Sequence, residues 1–165
     1  MYITGSKLNI GLDWTWTLLP CVVLFAASRA CKIPPSTGNA LGTFRPPAYI
    51  FGVMWATLSV LMGVSWTSAT DASVTRIRYV GICITYALLL TSLCMWVVSY
   101  NGAMGGRCWT SATKQVGAYL FLPIFTFTIM AFAQGSIVSN VLLAPLMSWL
   151  LYAFAMTVGD ILITA

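Results

Sequence analysis

Trp55 and Trp149 are the side chains of this sequence best placed to do chemistry, and that chemistry is stacking plus a single indole N–H donor. The usual reactive groups are missing or scattered. There is no His, which removes the commonest general base and metal ligand. Asp13, Asp71 and Asp160 are the only acids and lie far apart, so no paired carboxylates form, and no base stands ready for a Ser or Cys nucleophile. Cys21, Cys31, Cys83, Cys94 and Cys108 are dispersed without a CxxC spacing, which argues against a zinc site or a disulfide framework and for inert thiols. No catalytic residue, metal site or required cofactor is therefore expected.

The chain that must hold these tryptophans reads as an all-α integral membrane protein. Hydrophobic residues make up 59% and charged residues 7%, against roughly 25% charged in a soluble domain. Five apolar stretches, at about 14–31, 47–66, 79–100, 116–134 and 141–164, are each near the length of about 20 residues that crosses a bilayer as a helix. They predict one domain over 1–165, a five-transmembrane-helix bundle with the lipid bilayer as its surroundings. Lys7 before the first run and Ser28-Arg29-Ala30 after it imitate a secretory signal, but Arg29 within that site and Asp13 ahead of the run favour a retained helix.

The net charge of +5 comes from Lys and Arg in short connections, which read as topology signals rather than as a nucleic-acid surface. Five spans put the termini on opposite sides. Arg29, Lys32, Arg45, Arg107 and Lys114 fall on one side and Lys7, Arg76 and Arg78 on the other, so the N-terminus is expected outside and the C-terminus in the cytosol.

The second span, from Phe44 to Trp66, carries the densest pattern. Arg45, Pro46 and Pro47 mark its start, where a proline costs no hydrogen bond. Helical spacing sorts the rest into a small-residue stripe, Gly52, Ala56, Ser59 and Gly63, suited to close packing. Beside it lies a bulky face, Phe51, Trp55, Leu58, Met62 and Trp66, which reads as available to something large. The fifth span repeats the arrangement, with Ala144, Ser148, Ala155 and Gly159 on one stripe and Pro145, Trp149, Tyr152, Ala153 and Met156 beside it.

Trp14, Trp16, Trp66 and Trp109 fit interfacial anchors. Trp55 and Trp149 lie too deep for that, and serve either core packing or the wall of a cavity for a flat apolar ligand. Pro123 in the fourth span frees a carbonyl that Thr126, Thr128 or a neighbouring helix is expected to satisfy.

These residues resemble the TspO/translocator-protein family, the tryptophan-rich sensory proteins and peripheral benzodiazepine receptors. Phe44, Pro46, Pro47, Tyr49, Phe51, Gly52, Trp55, Leu58, Met62 and Gly63 stand in register with that family's second-span motif. Leu142, Leu143, Pro145, Trp149, Tyr152 and Ala153 follow its fifth-span motif, and Trp96 of the third span adds to the likeness. Pro20 with Ser28-Arg29 resembles the animal members. The chain departs from the pattern at Pro35 and Ser36, where a Trp-Tyr pair belongs, and at Leu41, Gly42, Ser59, Leu93 and Thr157. No Lys or Arg follows Lys114, so the sterol-recognition pattern of animal members is not formed.

The resemblance implies a five-helix bundle, usually a homodimer, with a pocket between the helices under the first loop. Its ligands would be porphyrin or haem-type tetrapyrroles or other flat lipophiles, with sterol-like molecules disfavoured. Phe44, Pro46, Pro47, Trp55, Trp96, Trp149 and Ala153 are the implied ligand-binding residues. The implied roles are stress response, scavenging or transport, in a bacterial inner membrane or a eukaryotic organelle membrane. The alternatives are an enzyme that degrades porphyrin with light and oxygen, and a structural, partner-binding membrane protein with a degenerate pocket.

Overall fold

The computed structural model describes residues 10–29, 48–71, 75–100 and 111–164, and the side chains of 17–27, 49–70, 75–99 and 115–159. These residues form five helices: α1 (Ile10–Arg29), α2 (Ala48–Asp71), α3 (Arg76–Tyr100), α4 (Ser111–Gln134) and α5 (Ile137–Thr164). The all-helical class agrees with the expectation, and the helix ends differ from it by several residues. Four helices are long and apolar enough to cross a membrane: Tyr49–Thr70, Arg76–Ser99, Gln115–Gln134 and Ile137–Gly159. In α1 the described apolar helix is the shorter Thr17–Ala27.

Hydroxyl groups mark the longer helices. α2 runs past Trp66 to Asp71, and there the Thr67 and Thr70 hydroxyls donate to the carbonyls of Val64 and Trp66 one turn back, so neither is left unmet. α3 starts early because the Thr75 hydroxyl accepts the Arg78 N–H, and α5 because the Ser136 hydroxyl accepts the Ser139 N–H. Only Gly135 and Ser136 separate α4 from α5. The Asn140 side chain donates to the Phe132 carbonyl across that turn. A Cβ at Gly135 would meet the Asn140 and Ser139 side-chain oxygens, so a larger residue there would require them to shift. In α4, Thr126 and Thr128 donate to Leu122 and Ile124 rather than to the carbonyl that Pro123 leaves unpaired.

The helices pack in the order α1, α2, α5, α4, α3, with α3 returning to α1, and α2 also meets α3 across the interior. The pairings Ser65 with Ser139, Trp55 with Trp96, and Thr85 with Gln134 make α2 antiparallel to α5 and to α3, and α3 antiparallel to α4. The core is one cluster built on Leu58, Met62, Tyr86, Leu89, Leu93, Phe121, Ile124, Leu143 and Leu150.

The outside is apolar as well. Val22, Phe25, Val53, Ile84, Leu88, Leu122, Ile129, Val141 and Leu151 are exposed, whereas Ser59, Ser65, Thr85, Thr128, Ser139 and Thr157 are buried. This distribution inverts that of a water-soluble bundle. The outward hydroxyls of Thr57, Thr91, Thr126 and Ser148 all donate to carbonyls of their own helices. Arg76 and Arg78 carry the only charges among the described side chains, and both stand at the start of α3.

The stripe on α2 divides. Ser59 and Gly63 are buried, while Gly52 and Ala56 face outward with open space around Gly52. On α5, Ala144, Ser148 and Ala155 face outward and Gly159 has open space beside it. The bulky face of α2 turns inward instead of remaining available, with Leu58 and Met62 each 1% exposed. Trp66, expected as an interfacial anchor, is 6% exposed and stacks on Tyr86 at 5.5 Å, within a helix that continues to Asp71.

Gly63 sets the spacing of α1 and α2, because a Cβ there would overlap the backbone carbonyl of Thr17. Gly63→Leu is expected to destabilise the bundle by about 3 kcal/mol or more, whereas Gly52→Leu leaves the single chain within about 0.5 kcal/mol. Thermal unfolding in detergent micelles, read by tryptophan fluorescence, compares the two.

Candidate functional site

The two ends of the bundle are built from different chemistry. At the end holding the α4–α5 turn, Ser65 Oγ lies 2.6 Å from Tyr86 Oη and donates to the Ser139 carbonyl at 2.8 Å. A serine hydroxyl has one proton, so Tyr86 is the donor in the first bond. Ser65, Tyr86 and Ser139 are each fully buried, and the bonds join α2, α3 and α5. Gln134 Nε2 donates to Thr85 at 3.2 Å and Arg78 donates to the Gln134 carbonyl at 2.9 Å, tying α3 to α4. Each of these groups has a partner, although the buried Oδ1 of Asn140 nearby has none among the described residues, and the end reads as structural.

The opposite end is aromatic. It lies roughly 21 Å away along α2, from Ser65 to Phe51 at the helical rise. Trp55 of α2 tilts against Trp96 of α3 at 5.7 Å between ring centroids, and Phe121 of α4 meets Trp96 edge-on at 5.5 Å. Phe121 also touches Phe125 and Phe154 at 5.8 and 5.3 Å. Beside this group, Trp149 of α5 meets Phe51 edge-on at 5.4 Å and Tyr152 at the same distance. α2, α3, α4 and α5 each contribute a ring.

Antiparallel packing is what gathers them. Trp55, early in α2, falls level with Trp96, late in α3, and Phe51 with Trp149. Trp96 is buried, while Trp55 and Trp149 are half-buried and packed against the core. The Trp149 Nε1 atom is itself buried and has no hydrogen-bond acceptor among the described residues. Leaving such a donor unmet costs about 1–3 kcal/mol, so a group that accepts from it would be held.

The expected ligand residues are thus placed unevenly. Trp55 and Trp96 are in contact, and Trp149 stands with Phe51. Ala153 is fully buried in the core, and its carbonyl accepts the Thr157 hydroxyl at 2.8 Å. Phe44, Pro46 and Pro47 lie outside the described residues. Phe121 was not among the expected residues; its spacing of four from Phe125 was the available signal, since that places both on one helical face. Leu93, at a departure from the family pattern, is fully buried. Among the described residues no cluster of His, Cys, Asp or Glu is able to hold a metal ion.

Comparison with known proteins gives no matching family model and no matching curated protein.

Phe121 and Trp149 should respond differently to substitution. Phe121, 1% exposed and touching three rings, is a core side chain, and Phe121→Ala should cost about 3–5 kcal/mol. Trp149→Phe removes an unmet donor along with some packing, so unfolding of the ligand-free protein should shift by less than about 1.5 kcal/mol. Equilibrium unfolding of both variants in one detergent measures the contrast.

Proposed function

We propose that this chain is an integral membrane protein of five spans, resembling the TspO/translocator-protein family, that binds flat lipophilic ligands of the porphyrin and haem type at its aromatic end. The observation that carries the reading is the buried, acceptorless N–H of Trp149 beside a group of rings drawn from four helices. Stacking surfaces recognise a flat macrocycle, and an indole N–H suits an acceptor on its edge. The apolar exterior and the self-satisfied outward hydroxyls support a lipid environment. The balance of basic residues favours an external N-terminus and a cytosolic C-terminus.

On this reading the bound molecule is a ligand for scavenging, sensing or transport, and no cofactor of the protein is required. The outward small residues Gly52, Ala56, Ala144 and Ser148 support a homodimer, since close helix approach is what such residues permit in lipid. Gly52→Leu with Ala144→Leu is expected to convert a dimer to a monomer, as read by light scattering of the detergent-solubilised protein.

Titration of the lipid-reconstituted protein with protoporphyrin tests the binding directly. Saturable quenching of tryptophan fluorescence is expected, weakened about tenfold, or about 1.4 kcal/mol, by Trp55→Ala or Trp149→Ala. Saturable binding unchanged by both substitutions would place the site elsewhere.

A further inference from the structure

From the positions of the hydrogen bonds and the prolines we infer that the bundle is a hinged jaw. It is pinned at the α4–α5 turn, and the aromatic half of α5 swings about Pro145 to part from α2 at the Phe51–Trp149 contact. The pin is a closed circuit of bonds through four helices at one level. Ser65 joins α2 to Tyr86 of α3 and to the Ser139 carbonyl of α5. Gln134 of α4 joins Thr85 and Arg78 of α3, and Asn140 of α5 closes the loop on the Phe132 carbonyl of α4. Sliding any one of these helices past another breaks at least one such bond in an apolar interior, where an orphaned polar group is most costly.

Pro145 sits in α5 between the pinned Ser139 and the aromatic Trp149. It has no N–H to give the Val141 carbonyl, so the helix is weakest at that turn, as helix bends commonly are at proline. A bend of about 10° there displaces residue 157 by roughly 3 Å but Trp149, one turn from the proline, by only about 1 Å, so parting Phe51 from Trp149 takes a bend of about 30°. α4 carries Pro123 beside Phe121 and Phe125, so the helix packed against the moving part of α5 also has a break. α2 and α3 have no internal proline and form the fixed side, through Leu58, Met62, Leu89 and Leu93. The contacts that must open are apolar: the ring edge of Phe51 against Trp149, both half-buried, and the core packing of Leu150 and Ala153. No hydrogen bond between helices is broken among them.

This inference concerns motion of the ligand-free chain and does not depend on which ligand binds. Hydrogen exchange of the full-length protein in lipid nanodiscs, resolved to peptides of α5, tests it. Residues 149–157 should exchange at least tenfold faster than residues 137–143. Pro145→Ala, at an exposed position where a methyl group fits, restores the missing N–H; it should slow 149–157 several-fold and leave 137–143 unchanged. Tyr86→Phe, which removes one bond of the pin, should speed 137–143. Equal exchange in the two segments, or no slowing of 149–157 by Pro145→Ala, would overturn the hinge. Faster exchange at 137–143 than at 149–157 in the unaltered protein would put the moving end at the turn and would also overturn it.

Discussion

Helices that are apolar on every side cannot be sorted by hydrophobicity, and this constraint shapes the rest of the molecule. Ile84 and Leu88 face outward while Ile82 and Leu89, on the same helix, are fully buried. Burial of carbon therefore does not decide which face turns in. Two other forces do. Close approach favours the places where a side chain is absent, as at Gly63 under the Thr17 backbone. Directional bonds favour the places where a hydroxyl finds a partner on another helix, as Ser65 does on both Tyr86 and Ser139. A single serine thereby sets the mutual rotation of three helices. With α2, α3 and α5 oriented by it, the antiparallel pairing carries Phe51, Trp55, Trp96 and Trp149 to the opposite end.

The same constraint explains what could be read from the chain and what could not. Length and the absence of charge mark helices, so the five helices and the antiparallel pairing of the fourth and fifth are legible. Facing is not. Gly52, Ala56, Ser59 and Gly63 share a stripe by spacing, yet only the last two are covered within the chain. Trp66 looks like an anchor at the end of an apolar run, but the run is extended by Thr67 and Thr70, whose hydroxyls bond to their own helix. The Ser65 bonds link residues 21 and 74 positions apart and leave no local trace.

The candidate site follows from this division of labour. One end spends most of its polar groups on holding helices together, the buried Asn140 Oδ1 being left without a donor among the described residues, and the other has ring surfaces and the N–H of Trp149. In the proposed membrane setting, water is not at hand to satisfy that N–H, so a ligand atom able to accept it gains more than it would in a soluble pocket. The resemblance to the TspO/translocator-protein family arises from the same residues, since its second- and fifth-span motifs carry Trp55 and Trp149. The departures at Leu93 and Thr157 replace polar positions of that pattern with a buried aliphatic and with a hydroxyl turned onto the Ala153 carbonyl. The proposed recognition rests on rings and one indole donor.

The most direct test of this account is the set of indole N–H resonances of the reconstituted protein, assigned by single tryptophan substitutions and followed as protoporphyrin is added. The account predicts that the signals of Trp55, Trp96 and above all Trp149 move, while that of Trp66, stacked on Tyr86 at the pinned end, stays in place. Movement of the Trp66 signal with Trp149 unchanged, or no movement of any signal at saturating ligand, would contradict it.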